Sequence, residues 1–452
     1  MRKNVLYIHT HDSGIYFQPY DIHIHTPNLD AFAKDAVCFD EAYCCSPTCS
    51  PSRASLLTGR YPHTNGMLGL GNRGFEIHDY GNHIVQRLNH EGYHTVLCGI
   101  QHEYGRYKDH QLGADKIGYQ ENITTSCSEY KDKDLVEWDA HNTDALCQWL
   151  KTERNEPFFV SMGFFSTHRE YPDIDMSEEE LRALHLPEFL KDTMEVRKDY
   201  AGHMRSVEMF DQNFGKIIHM LKETGHYDDT LIMFTTDHGV PYPFAKCTLF
   251  DSGIHVALIM RDPKAVVKGV HVKGLVSQID VAPTICDLLG IEKDDGYHGK
   301  SFAKVFSNLH EEMDEAVFAE INFHTSYEPA RCVRTKDYKL ICYYGDYEKI
   351  NRSNIDNSPT KQYYMEHGML DKEKCMLALY DLAKDPLEQH NVIQEKEYQE
   401  VYQMMKQKLE TWRKETGDMA LPLTEDKWEK VWQVNQPACI DPKSKREEDF
   451  IQ

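Results

Sequence analysis

No apolar run in the 452-residue sequence approaches the length needed to cross a bilayer, so a membrane-embedded role is not expected. Nothing like a signal-peptide apolar region precedes the first apolar stretch. Met1-Arg2-Lys3-Asn4 runs straight into Val5-Leu6-Tyr7-Ile8, and a cytoplasmic protein is the expectation. Positive charge is scarce: 50 Lys and Arg stand against 73 Asp and Glu, a formal charge of −23. That balance argues against nucleic acid as a partner. It also repels anions at long range, so an anionic substrate needs a locally positive pocket. Paired CxxC clusters at zinc spacing are absent. The 13 cysteines are odd in number and irregularly spaced, which points to free thiols in a reducing compartment. Internal repeats and low-complexity segments are missing as well.

The chain does hold 40 % hydrophobic and 11 % aromatic residues, enough for a folded core. Its length suits one large α/β domain and a smaller one. Apolar strands are read at 4–9, 37–39, 94–98, 157–165, 230–234 and 256–260, several of them closed by polar segments. Ligands in open α/β sheets collect at such C-terminal strand ends. Helices are read through about Asp35, over 52–59, 84–91, 143–151, 178–190 and 195–224, and ending at Leu289. From about residue 312 the pattern becomes alternating: Ala316–Ile321, Ala330–Arg334 and Tyr338–Tyr343 predict antiparallel strands. A long helix is expected over 394–415, followed by a loosely packed polar tail, 436–452. The expected fold is therefore α/β: a large mixed, mostly parallel sheet flanked by helices over 1–311. A smaller antiparallel sheet plus helix subdomain follows over 312–452.

One stretch organises the rest: Cys45-Ser46-Pro47-Thr48-Cys49-Ser50-Pro51-Ser52-Arg53, continuing through Leu57-Thr58-Gly59-Arg60. It reads as a strand end that turns at two prolines into a helix. Pro51 suits a first helical turn, and Ser50 is the expected N-cap. Cys49 then sits at the helix mouth, where the macrodipole favours anions, with Arg53 and Arg60 close by. A lone cysteine near proline is more often an ordinary buried thiol. Here the string Cys-Ser-Pro-Ser-Arg followed by Leu-Thr-Gly-Arg resembles the signature of the type I, formylglycine-dependent sulfatases of the alkaline phosphatase-like superfamily.

That resemblance spans essentially the whole chain and implies a set of roles. Cys49 is the residue oxidised to formylglycine. Asp12, Asp237 and His238 match metal ligands, and His11 stands where the family usually has a second aspartate. Arg53 and Lys246 match cations that offset charge on the nucleophile and the sulfate. His168 matches the histidine that protonates the leaving atom. His102 matches a sulfate-binding histidine, and we assign it as the base. Ile100 stands where a lysine is usual. Arg73, Arg169 and His324 are the expected substrate contacts. Phe234-Thr235-Thr236-Asp237-His238-Gly239 through Pro243, together with Trp412-Arg413-Lys414-Glu415-Thr416, resemble the heparan N-sulfatase (sulfamidase) subfamily.

The implied reaction is hydrolysis of a sulfate ester or sulfamate on a sulfated sugar or glycosaminoglycan fragment. Hydrated formylglycine attacks sulfur, and its second hydroxyl then expels sulfate and restores the aldehyde. The implied metal is calcium, although His238 and His11 soften the site towards manganese, magnesium or zinc. A formylglycine-generating or radical maturation enzyme is the implied protein partner. The alternative is a phosphonate monoester hydrolase or phosphodiesterase of the same superfamily, suggested by Asp237-His238 and by Ile100. The oligomeric state is open.

Overall fold

The structure, a computed structural model, describes residues 2–21, 23–105, 109–131, 134–309, 313–418, 421 and 434–451. Its organising strand is β1 (Asn4–Thr10), buried along its whole length. Successive side chains of a strand point to opposite faces. Val5 and Tyr7 join one apolar cluster, and Leu6 and Ile8 join another on the other side of the sheet. A strand buried on both faces reads as a continuous apolar run, as Val5-Leu6-Tyr7-Ile8 does.

Seven further strands complete the large sheet: β2 (Val37–Tyr43), β3 (His94–Gly99), β4 (Glu121–Asn122), β5 (Phe158–Gly163), β6 (Thr230–Thr236), β7 (Leu258–Arg261) and β8 (Val270–Ser277). Their order is β4-β3-β5-β1-β6-β7-β2-β8. All neighbours are parallel except β7, which runs antiparallel to both β6 and β2. β1 lies between β5 and β6, with Ile8 paired to Met162 and to Phe234. Three neighbouring strands thus end side by side and open their following loops onto one place.

Helices cover both faces. Met194–Glu223 lays Val196, Tyr200, Val207, Phe210, Phe214, Ile217 and Leu221 against one. Cys49–Thr58 and Val281–Leu289 cover the other through Leu56, Leu57, Val281 and Ile285.

The second sheet holds β9 (Ala316–Phe323), β10 (Tyr327–Thr335), β11 (Tyr338–Tyr343) and β12 (Leu377–Asp381), all antiparallel, in the order β12-β11-β10-β9. One face contributes Ala319, Ile321, Cys332 and Ile341 to the core shared with the large sheet. Its other face, through Val333, Leu340 and Leu379, packs on Met405, Leu409 and Trp412 of the helix Gln399–Thr416. The large mixed, mostly parallel sheet and the small antiparallel one are those read from the sequence. The expected boundary between 311 and 312 falls outside the described residues.

Several elements differ from the sequence reading. The helix expected over 178–190 is Glu178–Ala183. Leu184 turns extended, ahead of Pro187, whose ring disfavours helical geometry just before it. The helix expected over 143–151 begins earlier, at Leu135, because Asp139 and Asn142 are buried on its inward face and interrupt the apolar pattern. Asp139 accepts hydrogen bonds from Phe165 N, Ser166 N and Ser166 Oγ, which pins the chain leaving β5. The tail is less loose than expected: Asn435 bridges to Ser326 and to Phe450.

Candidate active site

The helix Cys49–Thr58 starts one residue before the expected cap. Thr48 is the N-cap, extended at φ −137 and ψ 142, and Cys49 is the first helical residue. Ser50 has another task, accepting from Gly71 N at 3.1 Å. Gly59 ends the helix at φ +62, where an added Cβ would lie 2.5 Å from Tyr297, so both geometry and space require glycine there. Ser52 fastens the helix to the sheet: its hydroxyl donates to Asp237 O at 2.6 Å, with Gln278 Oε1 3.0 Å away. Every residue of this helix is buried.

Around Cys49 the strand ends deliver their groups. After β6, His238 brings Nε2 to 3.3 Å from Cys49 Sγ and 3.3 Å from Asp12 Oδ1. Its other nitrogen, Nδ1, meets Gly239 O at 2.9 Å. Nδ1–H donating to that carbonyl leaves Nε2 as an acceptor facing the site. Asp237 Oδ1 accepts from the backbone N–H groups of Asp12 and His238, both at 2.9 Å. Its Oδ2 lies 3.0 Å from Arg53 Nη2 and 3.1 Å from His11 Nδ1. Arg53 also donates to Thr10 O at 3.0 Å and contacts His9 Nδ1. Burial alone would raise the Asp237 carboxyl, but His238, Arg53 and His11 outweigh it and hold it well below the carboxylate range.

Lys246 completes the floor. Its Nζ donates to Asp12 Oδ2 at 3.0 Å and to Asp356 Oδ2 at 2.9 Å. Burial disfavours its charge, yet Asp12 and Asp356 overcome that and keep it an ammonium. His102, in the left-handed region at φ 61, is pushed down to about 3 by burial and then by Arg53 and His168, so it is a neutral imidazole. Its ring centroid is 5.8 Å from that of His11, and His168 is 5.5 Å from His11 edge to face. His168 Nδ1 contacts Arg169 O, which leaves Nε2 for other partners. Asp12 is also left-handed, at φ 46. Such backbone costs of order 1–3 kcal/mol each and persists where surrounding structure enforces it. Burial pushes the Cys49 thiol well up, with Lys246 opposing and Asp12 and Asp237 adding to the rise.

The donor set fits a divalent cation. His11, Asp12, Cys49 and Asp237 each place a donor atom within 4.8 Å of the others. Asp12 Oδ1 and His11 Nε2 are buried and have no hydrogen-bond partner among the described residues. A buried acceptor left without a donor is costly, and a cation held by His11, Asp12 and Asp237 would satisfy it, with His238 Nε2 3.3 Å from Asp12 Oδ1 as a further donor.

The remaining expectations divide. His324 is buried and close enough to Lys246, Asp356 and His238 to feel their charges. Arg169 acts as a brace, its two terminal nitrogens holding Asp199 at 2.6 and 2.9 Å. Arg73 donates to Asn435 Oδ1 and Pro442 O, both at 2.9 Å, and so ties down the tail. Ile100 packs among Cys127, Leu135, Trp138 and Phe165, an apolar setting with no room for a lysine's charge. Asp356 was not foreseen. It lies 110 residues from Lys246 in a segment with no periodic pattern.

A cysteine at a helix mouth, a carboxylate and imidazole donor set and a buried ammonium meet at the ends of parallel strands, an arrangement suited to a hydrolase. The chain belongs to the sulfatase family, whose profile matches residues 3–291; it is a sulfuric ester hydrolase. A second profile, "N-sulphoglucosamine sulphohydrolase, C-terminal", matches residues 237–372. An ulvan-active sulfatase of Formosa agariphila is 26 % identical over 432 residues, covering 92 % of this chain and 81 % of that protein. Human N-sulphoglucosamine sulphohydrolase is 26 % identical over 482 residues, covering 92 % and 91 %. A solved structure of a protein in complex with its substrate D-glucosamine-2-N,6-O-disulfate superposes with a TM-score of 0.71 at 19 % identity, covering 92 % of this chain and 99 % of that one. The phosphonate monoester hydrolase of Agrobacterium radiobacter shares the fold, with a TM-score of 0.67 at 21 % identity and coverage of 92 % and 96 %.

Proposed function

We propose that this sulfatase removes sulfate, as an ester or a sulfamate, from a sulfated sugar such as a glycosaminoglycan fragment, with Cys49 matured to formylglycine. The observation that carries the reading is the convergence of Cys49 Sγ, His238 Nε2 and Asp12 Oδ1 within 3.3 Å steps beside the Lys246 ammonium. The names of the human and Formosa relatives supply the substrate class.

Formylglycine at position 49 would offer a hydrated aldehyde, whose two hydroxyls provide both a nucleophile and a way to expel the product. A divalent cation held by Asp12, Asp237 and His238 would acidify and orient a bound hydroxyl. Calcium is the ion the resemblance implies; manganese, magnesium and zinc are its rivals, and of these the nitrogen donors favour zinc most and magnesium least. Lys246 sets positive charge where the sulfate oxygens gather negative charge. Arg53 balances Asp237 from below. His168, its Nδ1 turned to the Arg169 carbonyl, presents Nε2 to give a proton to the departing oxygen or nitrogen. His102 is our assigned base; burial keeps it in the neutral form that can accept a proton while lowering its affinity for one. We further propose a cytoplasmic location and a dedicated maturation enzyme for Cys49.

The test is paired kinetics on matched sulfate and phosphonate esters. A preference for sulfate is expected; a higher kcat/KM for the phosphonate would replace this reading with that of a phosphonate monoester hydrolase.

A further inference from the structure

Of the acidic groups bound to the catalytic lysine, Asp356 alone reaches towards solvent: its side chain is 20 % exposed, against 0 % for Asp12 and 3 % for Lys246. Its carboxyl is raised by burial but lowered further by Lys246, His324 and His168, so it is ionised. An ionised carboxylate beside a site for an anion is a liability unless it meets a donor on the substrate. Oδ2 is engaged by Lys246, and one ammonium does not fill the acceptor capacity of a carboxylate. His324, 5 % exposed, has a buried Nδ1 with no hydrogen-bond partner among the described residues. The two groups come from separate parts of the C-terminal half, His324 just after β9 and Asp356 just before the helix Pro359–Glu366. A cavity of about 670 Å³ is lined in part by Arg169 and Asn357, the chain neighbours of His168 and Asp356, and not by Asp356 or His324 themselves. Its size lies within the range of small-molecule sites. The Tyr171 hydroxyl, in its wall, is buried and also without a partner among the described residues.

We propose that Asp356 and His324 form the polar end of a leaving-group subsite, which selects substrates bearing a hydroxyl or ammonium donor next to the sulfated atom. This rests on the sulfatase reading of the site. Asp356 accepts the donor, while its charge is balanced by Lys246; His324 Nδ1 takes the second polar group. An aryl sulfate, which carries no such donor, gains nothing from the pair.

The experiment compares kcat/KM for glucosamine 6-sulfate and for 4-nitrophenyl sulfate in matured wild type, Asp356→Asn and Asp356→Ala. Losing one charge-assisted hydrogen bond is expected to lower the sugar-to-aryl ratio by about 10- to 100-fold. The isosteric Asp356→Asn keeps the test alive if Asp356→Ala does not fold. A proportional loss on both substrates would overturn the proposal, since it would make Asp356 a mere prop for Lys246. A binding arm separates this from failure of the sulfatase reading. Methyl glucosaminide is titrated into Cys49→Ala protein with and without Asp356→Asn by NMR. Weaker binding with Asp356→Asn supports the subsite even if no sulfate is released. Equal binding overturns it.

Discussion

Arg53 Nη2 and Asp237 Oδ2 meet at 3.0 Å beneath the helix that carries Cys49, with only 1 % and 0 % of their side chains exposed. Neither charge has water to fall back on. Removing one partner of such a pair costs about 3–5 kcal/mol, because the other is left buried and uncompensated. Arg53→Met is therefore expected to lose stability in that range in urea unfolding at neutral pH. Arg53→Lys is expected to recover little, since a single ammonium cannot reach Thr10 O, His9 and Asp237 together as the forked guanidinium does.

Lys246 spans the two carboxylates of Asp12 and Asp356. Lys246→Met removes the ammonium proposed to face the sulfate, and a preorganised charge of this kind is worth about 10²–10³ in kcat. Steady-state kinetics on a sulfate ester checks this; a drop confined to KM would show that Lys246 binds substrate without favouring the transition state.

Acid stability has a handle far from the site. His83 caps the helix Ile84–His90, its Nδ1 accepting from Val85 N at 3.3 Å, and it is wholly buried. Burial pushes it down to about 3 from 6.5. Between those values the unfolded chain binds a proton that the folded one refuses, so stability rises with pH and is lost as pH falls from 6.5 towards 3. The slope is about 1.4 kcal/mol per pH unit for this one group. His83→Asn keeps a good cap and removes the titration. Its acid-unfolding midpoint is expected to move to lower pH, with one proton fewer taken up; an unmoved midpoint would place the acid sensitivity in other histidines.

Trp412 fastens the C-terminal helix. Its ring stacks on Phe318 at 5.1 Å and meets Tyr61 edge-on at 4.9 Å, with 5 % exposure. Trp412→Ala is expected to cost about 3–5 kcal/mol, and Trp412→Phe clearly less. Thermal unfolding of the two variants checks the order.

The sequence showed the fold wherever one strand or helix carried its own pattern. β1 is legible because it is buried on both faces, and Met194–Glu223 because its apolar side repeats at helical spacing. It failed at Leu135–Leu150, where inward-facing Asp139 and Asn142 break the stripe to serve a neighbouring loop. At the site, Cys49, Asp12, Asp237-His238 and Lys246 stand in contiguous motifs, and the structure brings them together. Asp356 contributes one side chain from an irregular loop, and its partner in space lies 110 residues away in sequence. No local pattern marks such a residue. Arg73 and Arg169 are cations whose structural partners, Asn435 and Asp199, no local pattern announces.

The central claim is that residue 49, once matured, performs the reaction. The most direct test is sulfate release from a sulfated glucosamine by wild type and Cys49→Ala, both produced with the maturation enzyme. Wild type is expected to release sulfate, and Cys49→Ala none above background. Sulfate release by Cys49→Ala at the wild-type rate would contradict the claim.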